Sequence, residues 1–233
     1  LGIEQVDAVG LDLGTSSPQL DDPERGFSFR FDGPLDMRMG DSGETAADWV
    51  NSASQAELSD VIREFGEERH HRRVAKSIIE ARKESPIETT ERLAKIVRPA
   101  VGRSADGLDP ATRTFQAIRI KINDETGEIA RGLAAAERIL RPGGRLAVIS
   151  FHSLEDRLVK QFLHRRSTAS SPSRHAPVPT GEQANLTFTL PRRRSLTPSA
   201  DETRRNPRAR SARLRAAVRT DAPAQPETRG TAA

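Results

Sequence analysis

Asp12-Leu13-Gly14-Thr15-Ser16-Ser17-Pro18-Gln19 closes an apolar run, Val6 to Leu13, with a carboxylate, hydroxyls, an amide and a rigid proline turn. In open α/β sheets the ligand sits beyond the carboxyl ends of the strands, so a buried strand delivering these groups marks where chemistry is expected. An ordinary turn has the same Ser-Ser-Pro composition, and the stretch alone does not decide between the two. A second polar group, His152-Ser153-Leu154-Glu155-Asp156, follows the apolar run Leu146 to Phe151. A nucleophilic Ser-His-acid triad is not expected there, because adjacent residues rarely meet that geometry. Ser153 instead reads as a helix N-cap, with Glu155 and Asp156 favoured by the helix dipole. Arg113, Gln116 and Arg119 share one helix and would face RNA or a cleft, or else form an internal salt bridge. Arg192 to Arg194 and Arg204 to Arg210 offer guanidiniums to phosphates. His70-His71 lies in a basic helix, and no metal is expected at it.

Positioning these groups takes strands and helices that the spacing predicts. Val6 to Leu13 reads as a buried strand, and Thr15 to Met39 as a long ordered loop. From residue 44 to 105 the pattern is all-helical. Thr45 caps a helix to Ala53, and Ser54-Gln55-Ala56-Glu57 is a capping box ahead of Leu58, Val61, Ile62 and Phe65. Gly66 stops that helix. Glu67 to Lys83 forms the next, broken by Pro86, and a helix from Thr89 or Thr90 ends before Pro99. Asp109-Pro110 reads as a cap with Pro at the first helical position. A helix then carries Phe115, Ile118 and Ile122, and another runs from Glu125 to Leu140. Arg141-Pro142-Gly143-Gly144 is a turn into a strand from Arg145 to Phe151, and Leu154 to His164 is a helix. Ser167 to Glu182 reads as a flexible loop. Leu186 to Leu190 and Leu214 to Val218 are strands that would pair antiparallel at the edge of a sheet, with a disordered tail after Thr220. The chain shows no internal repeat.

Composition narrows the function classes. Cysteine is absent, which removes disulfides and thiolate metal sites and fits a cytoplasmic location. No apolar run approaches the roughly 20 residues needed to span a bilayer, and no signal peptide is visible. The net charge is +4, but Pro191 to Thr220 holds ten Arg against two acids, a balance that points to a polyanion. With no Tyr and one Trp, a broad aromatic stacking platform for single strands is not expected.

The Ser-Ser-Pro-Gln loop resembles the Ser/Asn/Asp-Pro-Pro-aromatic loop of amino-methyltransferases, with Ser17 and Gln19 in place of the second Pro and the aromatic. The Pro-Gly-Gly step before Arg145 resembles the one before the fifth strand of S-adenosylmethionine-dependent methyltransferases. An exocyclic amine conjugated to a ring is a poor nucleophile. A rigid loop of acceptors draws its nitrogen toward tetrahedral geometry as it attacks. Further blocks occur in order: Arg25-Gly26-Phe27-Ser28-Phe29, Asp32-Gly33-Pro34-Leu35-Asp36-Met37-Arg38-Met39, Gly66-Glu67-Glu68-Arg69, Pro110 to Ile120, Ser150 to Arg157, and Asn206-Pro207-Arg208-Ala209-Arg210-Ser211. Together they are similar to the bacterial 16S ribosomal RNA cytosine-N4 methyltransferases, the MraW/RsmH family, from the first residue to about Arg219.

The resemblance implies an α/β fold, a partial class I S-adenosylmethionine-dependent methyltransferase. Its doubly wound sheet would lack the N-terminal strands and carry an all-helical insert. The expected division is 1–39 and 109–220 for the methyltransferase domain, 40–108 for the substrate-recognition insert, and 221–233 for a tail. S-adenosylmethionine is the implied cofactor, with Asp12 and Gln19 as its contacts. Ser16, Ser17 and Pro18 are the implied catalytic loop. Arg113, Arg119, Arg208 and Arg210 are expected to bind RNA. The partner is the 16S ribosomal RNA of the small ribosomal subunit; no metal or membrane is expected, and the oligomeric state stays open. The family's Gly-rich loop after the first strand and its acid after the second have no counterpart in these residues, and the chain is expected to start just before the fourth strand. Tight cofactor binding by these residues alone is therefore not expected, and a non-catalytic RNA-binding remnant is the alternative. A DNA amino-methyltransferase is a third, weaker reading.

Overall fold

The computed structural model describes residues 2–103, 107–168 and 185–226. In chain order its elements are β1 (Val6–Asp12), α1 (Ser17–Asp21), α2 (Ala46–Ser52), α3 (Gln55–Gly66), α4 (His71–Glu84), α5 (Thr90–Val101), α6 (Thr112–Ile122), α7 (Glu125–Ile139), β2 (Leu140–Ser150), α8 (Ser153–Ser167), β3 (Phe188–Thr189), α9 (Ala200–Arg205) and β4 (Arg213–Arg219). They fall into two compact units: a sheet unit of residues 1–14 and 126–233, and a helical unit of residues 15–125.

The sheet unit is α/β. Its strands run β1-β2-β4-β3, with β1 parallel to β2 and the other two pairings antiparallel. The expected pairing of the two late strands is present, Phe188 opposite Arg219 and Thr189 opposite Val218, with β4 also bonded to β2 along Arg145–Ser150. Ile129, Leu133, Ala136, Leu140, Leu146, Val148, Val159, Phe162, Leu163, Phe188 and Ala217 make its core. Two features depart from the sequence reading. β1 is not a buried strand: Val6, Val9 and Leu11 are half-buried, while Asp7, Ala8, Gly10 and Asp12 are exposed. Its one strand partner among the described residues is β2, which makes β1 an edge strand of the sheet as described. The Arg141-Pro142-Gly143-Gly144 turn also lies within the span of β2. Val6 faces Leu140 and Ala8 faces Arg145, so the turn is absorbed as a bulge.

Glu137 of α7 is a buried hub in this unit. Arg166 Nε lies 3.2 and 3.1 Å from its two carboxylate oxygens, and the Gln225 amide donates to Oε1 at 3.2 Å. Gln225 Nε2 also donates to the Asn185 carbonyl at 2.8 Å. The tail expected after Thr220 is thus tied down as far as these bonds reach; residues 227–233, and most of the loop expected at 167–182, lie outside the described residues.

The helical unit packs α3 against α4 and α6, and α4 against α5. Leu58, Ile62, Val74, Ile78, Leu93, Val97, Phe115 and Ile118 recur at helical spacing and fill the core. Leu35 and Met37, from the loop before α2, are buried with them, as are Ala111, Phe115 and Ile118 at or within α6, so residues 15–39 and 109–125 fall in this unit with the expected insert. The expected caps at Thr45 and Ser54 are both present as capping boxes. Three expectations shift. α5 continues through Pro99 to Val101, α4 starts at His71 rather than Glu67, and Asp109 does not cap α6 directly but accepts from the Ala111 amide at 2.9 Å.

Candidate functional site

The parallel pairing of β1 and β2 brings their carboxyl ends side by side. Asp12 lies opposite Ile149, and the Leu13 amide donates to the Ile149 carbonyl at 3.0 Å. Asp12 is exposed at this end. Gly14 then turns with φ +84°, a left-handed backbone that disfavours any side chain. A Cβ on it would lie 3.3 Å from Glu155 Oε1.

Glu155 comes from the first turn of α8, which begins just past the end of β2. Its Oε2 accepts from the amides of Phe151 at 2.7 Å and His152 at 3.3 Å, and its Oε1 lies 3.0 Å from His152 Nε2. His152, not Ser153, is the N-cap: its Nδ1 accepts from the Glu155 amide at 3.4 Å. The sequence points to Ser153, the commoner capping residue, but the imidazole of His152 is an acceptor as well and takes the role. Asp156 of the same turn is held by Arg215 of β4 through two bonds of 2.8 and 3.0 Å. The sheet unit therefore presents Asp12, Gly14, His152 and Glu155 together at the ends of its two parallel strands. The sequence places His152 and Glu155 just past a strand and favours a helix start there over a nucleophilic triad; the parallel pairing that joins them to Gly14 is invisible in one sequence.

Ser16, Ser17, Pro18 and Gln19 belong to the helical unit. Ser16 caps α1, and Gln19 closes a capping box on it. Gln19 Oε1 accepts from the Ser16 amide at 2.8 Å and from its hydroxyl at 3.1 Å, while Ser16 Oγ accepts from the Gln19 amide at 3.5 Å. Ser17 and Pro18 occupy the first two helical positions, exposed. The loop between β1 and Met39 is thus not irregular at its start but wound into one short helix.

Thr15, the residue before the cap, is fastened from α6. Arg119 Nη1 donates to its hydroxyl at 3.2 Å, while Nε and Nη2 grip the Glu125 carboxylate at 2.7 and 2.9 Å. Both partners of this ion pair are largely buried, 15% and 8% exposed. Arg113 donates to the Glu67 carbonyl at 3.1 Å and Gln116 to the Phe65 carbonyl at 3.0 Å, which joins α6 to the end of α3. Arg208 and Arg210 stand exposed in a 3-10 turn, Pro207–Ser211, of the sheet unit. Arg192 to Arg194 are exposed as well.

For S-adenosylmethionine, the donor set can be judged by its chemistry. Asp12 supplies an exposed carboxylate suited to an ammonium or hydroxyl hydrogen. Gln19 supplies an amide whose oxygen is already taken by Ser16. Each group, taken by itself, has hydrogen-bonding chemistry of a kind such a molecule can use.

A family model described as the MraW methylase family matches residues 1–220. The chain is 62% identical over 224 residues to the ribosomal RNA small subunit methyltransferase H of Rhodospirillum centenum, covering 96% of this chain and 68% of that protein. It is 59% identical over 224 residues to the protein of the same name from Paramagnetospirillum magneticum, covering 96% and 70%. A third of that name, from a Methylobacterium species, is 60% identical over 225 residues, covering 96% and 66%.

Proposed function

Since the chain belongs to the MraW methylase family of S-adenosylmethionine-dependent ribosomal RNA methyltransferases, we propose that its residues serve methyl transfer to the exocyclic N4 amine of a cytidine in the decoding region of 16S ribosomal RNA. The observation that carries this reading is the polar stretch Asp12–Gln19 issuing from the end of a strand parallel to β2, within a chain matched to the family over residues 1–220. In this reading the sheet unit is part of a class I methyltransferase domain and the helical unit is its substrate-recognition insert.

Asp12 would hold a hydrogen-bearing group of the cofactor, with the Gln19 amide as a second contact. When bound, S-adenosylmethionine supplies an electrophilic methyl group. The residues of the chain do the rest by orientation. Ser16, Ser17 and Pro18 hold the cytosine amine, their oxygens accepting its hydrogens so that the nitrogen lone pair is directed at the methyl group. Pro18 at the second helical position keeps this turn stiff. The base must leave its stack to reach such a loop. Arg119 is better assigned to holding Thr15 than to RNA, because its donors are committed to Glu125 and Thr15. Arg113, Arg208 and Arg210 remain the proposed phosphate contacts, and the cytoplasm the proposed location.

The test is transfer of labelled methyl to small-subunit particles by a full-length version and its Asp12→Ala variant. Label should appear on cytidine N4, and the variant should lose at least tenfold in rate, a loss of roughly 1.4 kcal/mol in transition-state stabilisation. Undiminished transfer by the variant removes Asp12 from the site.

A further inference from the structure

We propose that the open surface depression of about 320 Å³ lined by Arg69, His70, His71, Arg72 and Arg73 is a binding site for RNA backbone phosphate. The proposal rests on the reading that the chain engages ribosomal RNA, and adds to it a place in the helical unit remote in sequence from the Asp12–Gln19 stretch and from the Arg-rich segment after Pro191.

The lining is wholly basic. No carboxylate contributes to it, and no Phe, Tyr or Trp does either, so it offers charge and donors rather than a broad aromatic face. Its volume is at the lower end for small-ligand sites. Arg69 and Arg72 are exposed, and neither makes a side-chain hydrogen bond or an ion pair among the described residues. The nearest acid in sequence, Glu68, is 5% exposed and accepts from the His70 amide at 2.7 Å, so it is spent on the turn. The other walls are fixed. Arg73 Nη2 donates to the Val101 carbonyl at 3.3 Å, and His71 Nδ1 lies 2.8 Å from Ser59 Oγ. Two anchored side chains with two unclaimed guanidiniums give a partly preformed cradle, which lowers the ordering cost of binding an anion.

The placement also opposes what folding alone favours. Cations in a first helical turn repel the positive end of the helix dipole. α4 starts without an acid in its first turn and without a side-chain cap, yet carries Arg72 and Arg73 there. A bound phosphate turns that repulsion into attraction, and guanidiniums match its oxygens in pairs.

The experiment titrates the chain with a labelled RNA hairpin of the 16S decoding region at a series of salt concentrations. It compares the parent, Arg69→Ala/Arg72→Ala, and Arg192→Ala/Arg194→Ala as a second basic pair. The Arg69/Arg72 variant should bind more weakly, and its slope of log K against log salt should be shallower by roughly 1 to 2. The loss should be equal on a scrambled RNA of the same length, and the melting temperature should stay the same or rise, because removing a cation from the start of α4 relieves the dipole. A slope equal to that of the parent overturns the site while leaving RNA binding intact. A loss confined to the native RNA sequence overturns the phosphate assignment, and a weaker affinity accompanied by a lower melting temperature shows that these arginines are structural. Salt-insensitive or absent binding by the parent overturns both this proposal and the RNA reading beneath it.

Discussion

Arg119 shows how a side chain that looks available in the sequence can be spent in the fold. Its spacing with Arg113 and Gln116 was legible, but its partners were not, since Thr15 lies 104 positions away and Glu125 belongs to the next helix. The two contacts separate experimentally. Thr15→Val removes only an acceptor at a half-buried hydroxyl, so stability should change by about 1 kcal/mol or less, while amide exchange at Ser16, Ser17 and Gln19 rises. Arg119→Ala strips the counter-ion from the Glu125 carboxylate and should cost roughly 3 kcal/mol, read by urea denaturation. If Thr15→Val leaves loop exchange unchanged, the bond does not hold the loop. His152 teaches a complementary lesson. Its ring nitrogen fills a role that Ser153 fills on composition alone, and only the extended backbone at His152 distinguishes the two.

Elements of the helical unit were largely legible because each signal is local. Thr45 and Ser54 cap from three residues away, and the apolar spacing of Leu58, Ile62, Val74 and Ile78 marks buried faces. Pro99 does not end α5 because packing outweighs its penalty: it gives up its own bond to the carbonyl four residues back, but buried Val97, Ala100 and Val101 hold that turn in place. The same local contacts carry the pH response. The Arg38 guanidinium holds the Asp36 carboxyl below its usual range despite partial burial. Hydroxyl and amide donors of Thr45 and Ser54 do so for Asp48 and Glu57. For Asp109, burial pushes the value up, but Arg98 and the Ala111 amide outweigh it and the net shift is downward. Each folded-state value lies below the unfolded one, so these carboxylates stabilise above about pH 4 and their contribution fades as pH falls through the depressed values. Thermal melts should show the helical unit losing stability over that acid range, and Asp36→Asn should flatten the fall. An acid limb with the same depth in Asp36→Asn removes Asp36 from this account.

At the scale of the whole chain, the alternation of one strand, a block of helices and then a Pro-Gly-Gly turn into a second strand foretold an α/β unit interrupted along the chain by helices. The exposure of β1 was not legible, because a strand's apolar content does not say how many neighbours flank it. Nor was the fate of the last residues, whose polar composition reads as a tail. Their anchoring comes from Glu137, 88 positions before Gln225. That carboxylate, 1% exposed, already answers Arg166, and the Gln225 amide completes its shell. A protease trimming the chain from its carboxyl end should therefore pause near Gln225 rather than run to Thr220, leaving a resistant species that mass spectrometry resolves. Digestion straight through to Thr220 would show that the clasp opens faster than the enzyme cuts. Six residues past the last strand thus act as a fastening for the sheet rather than as a trailing end.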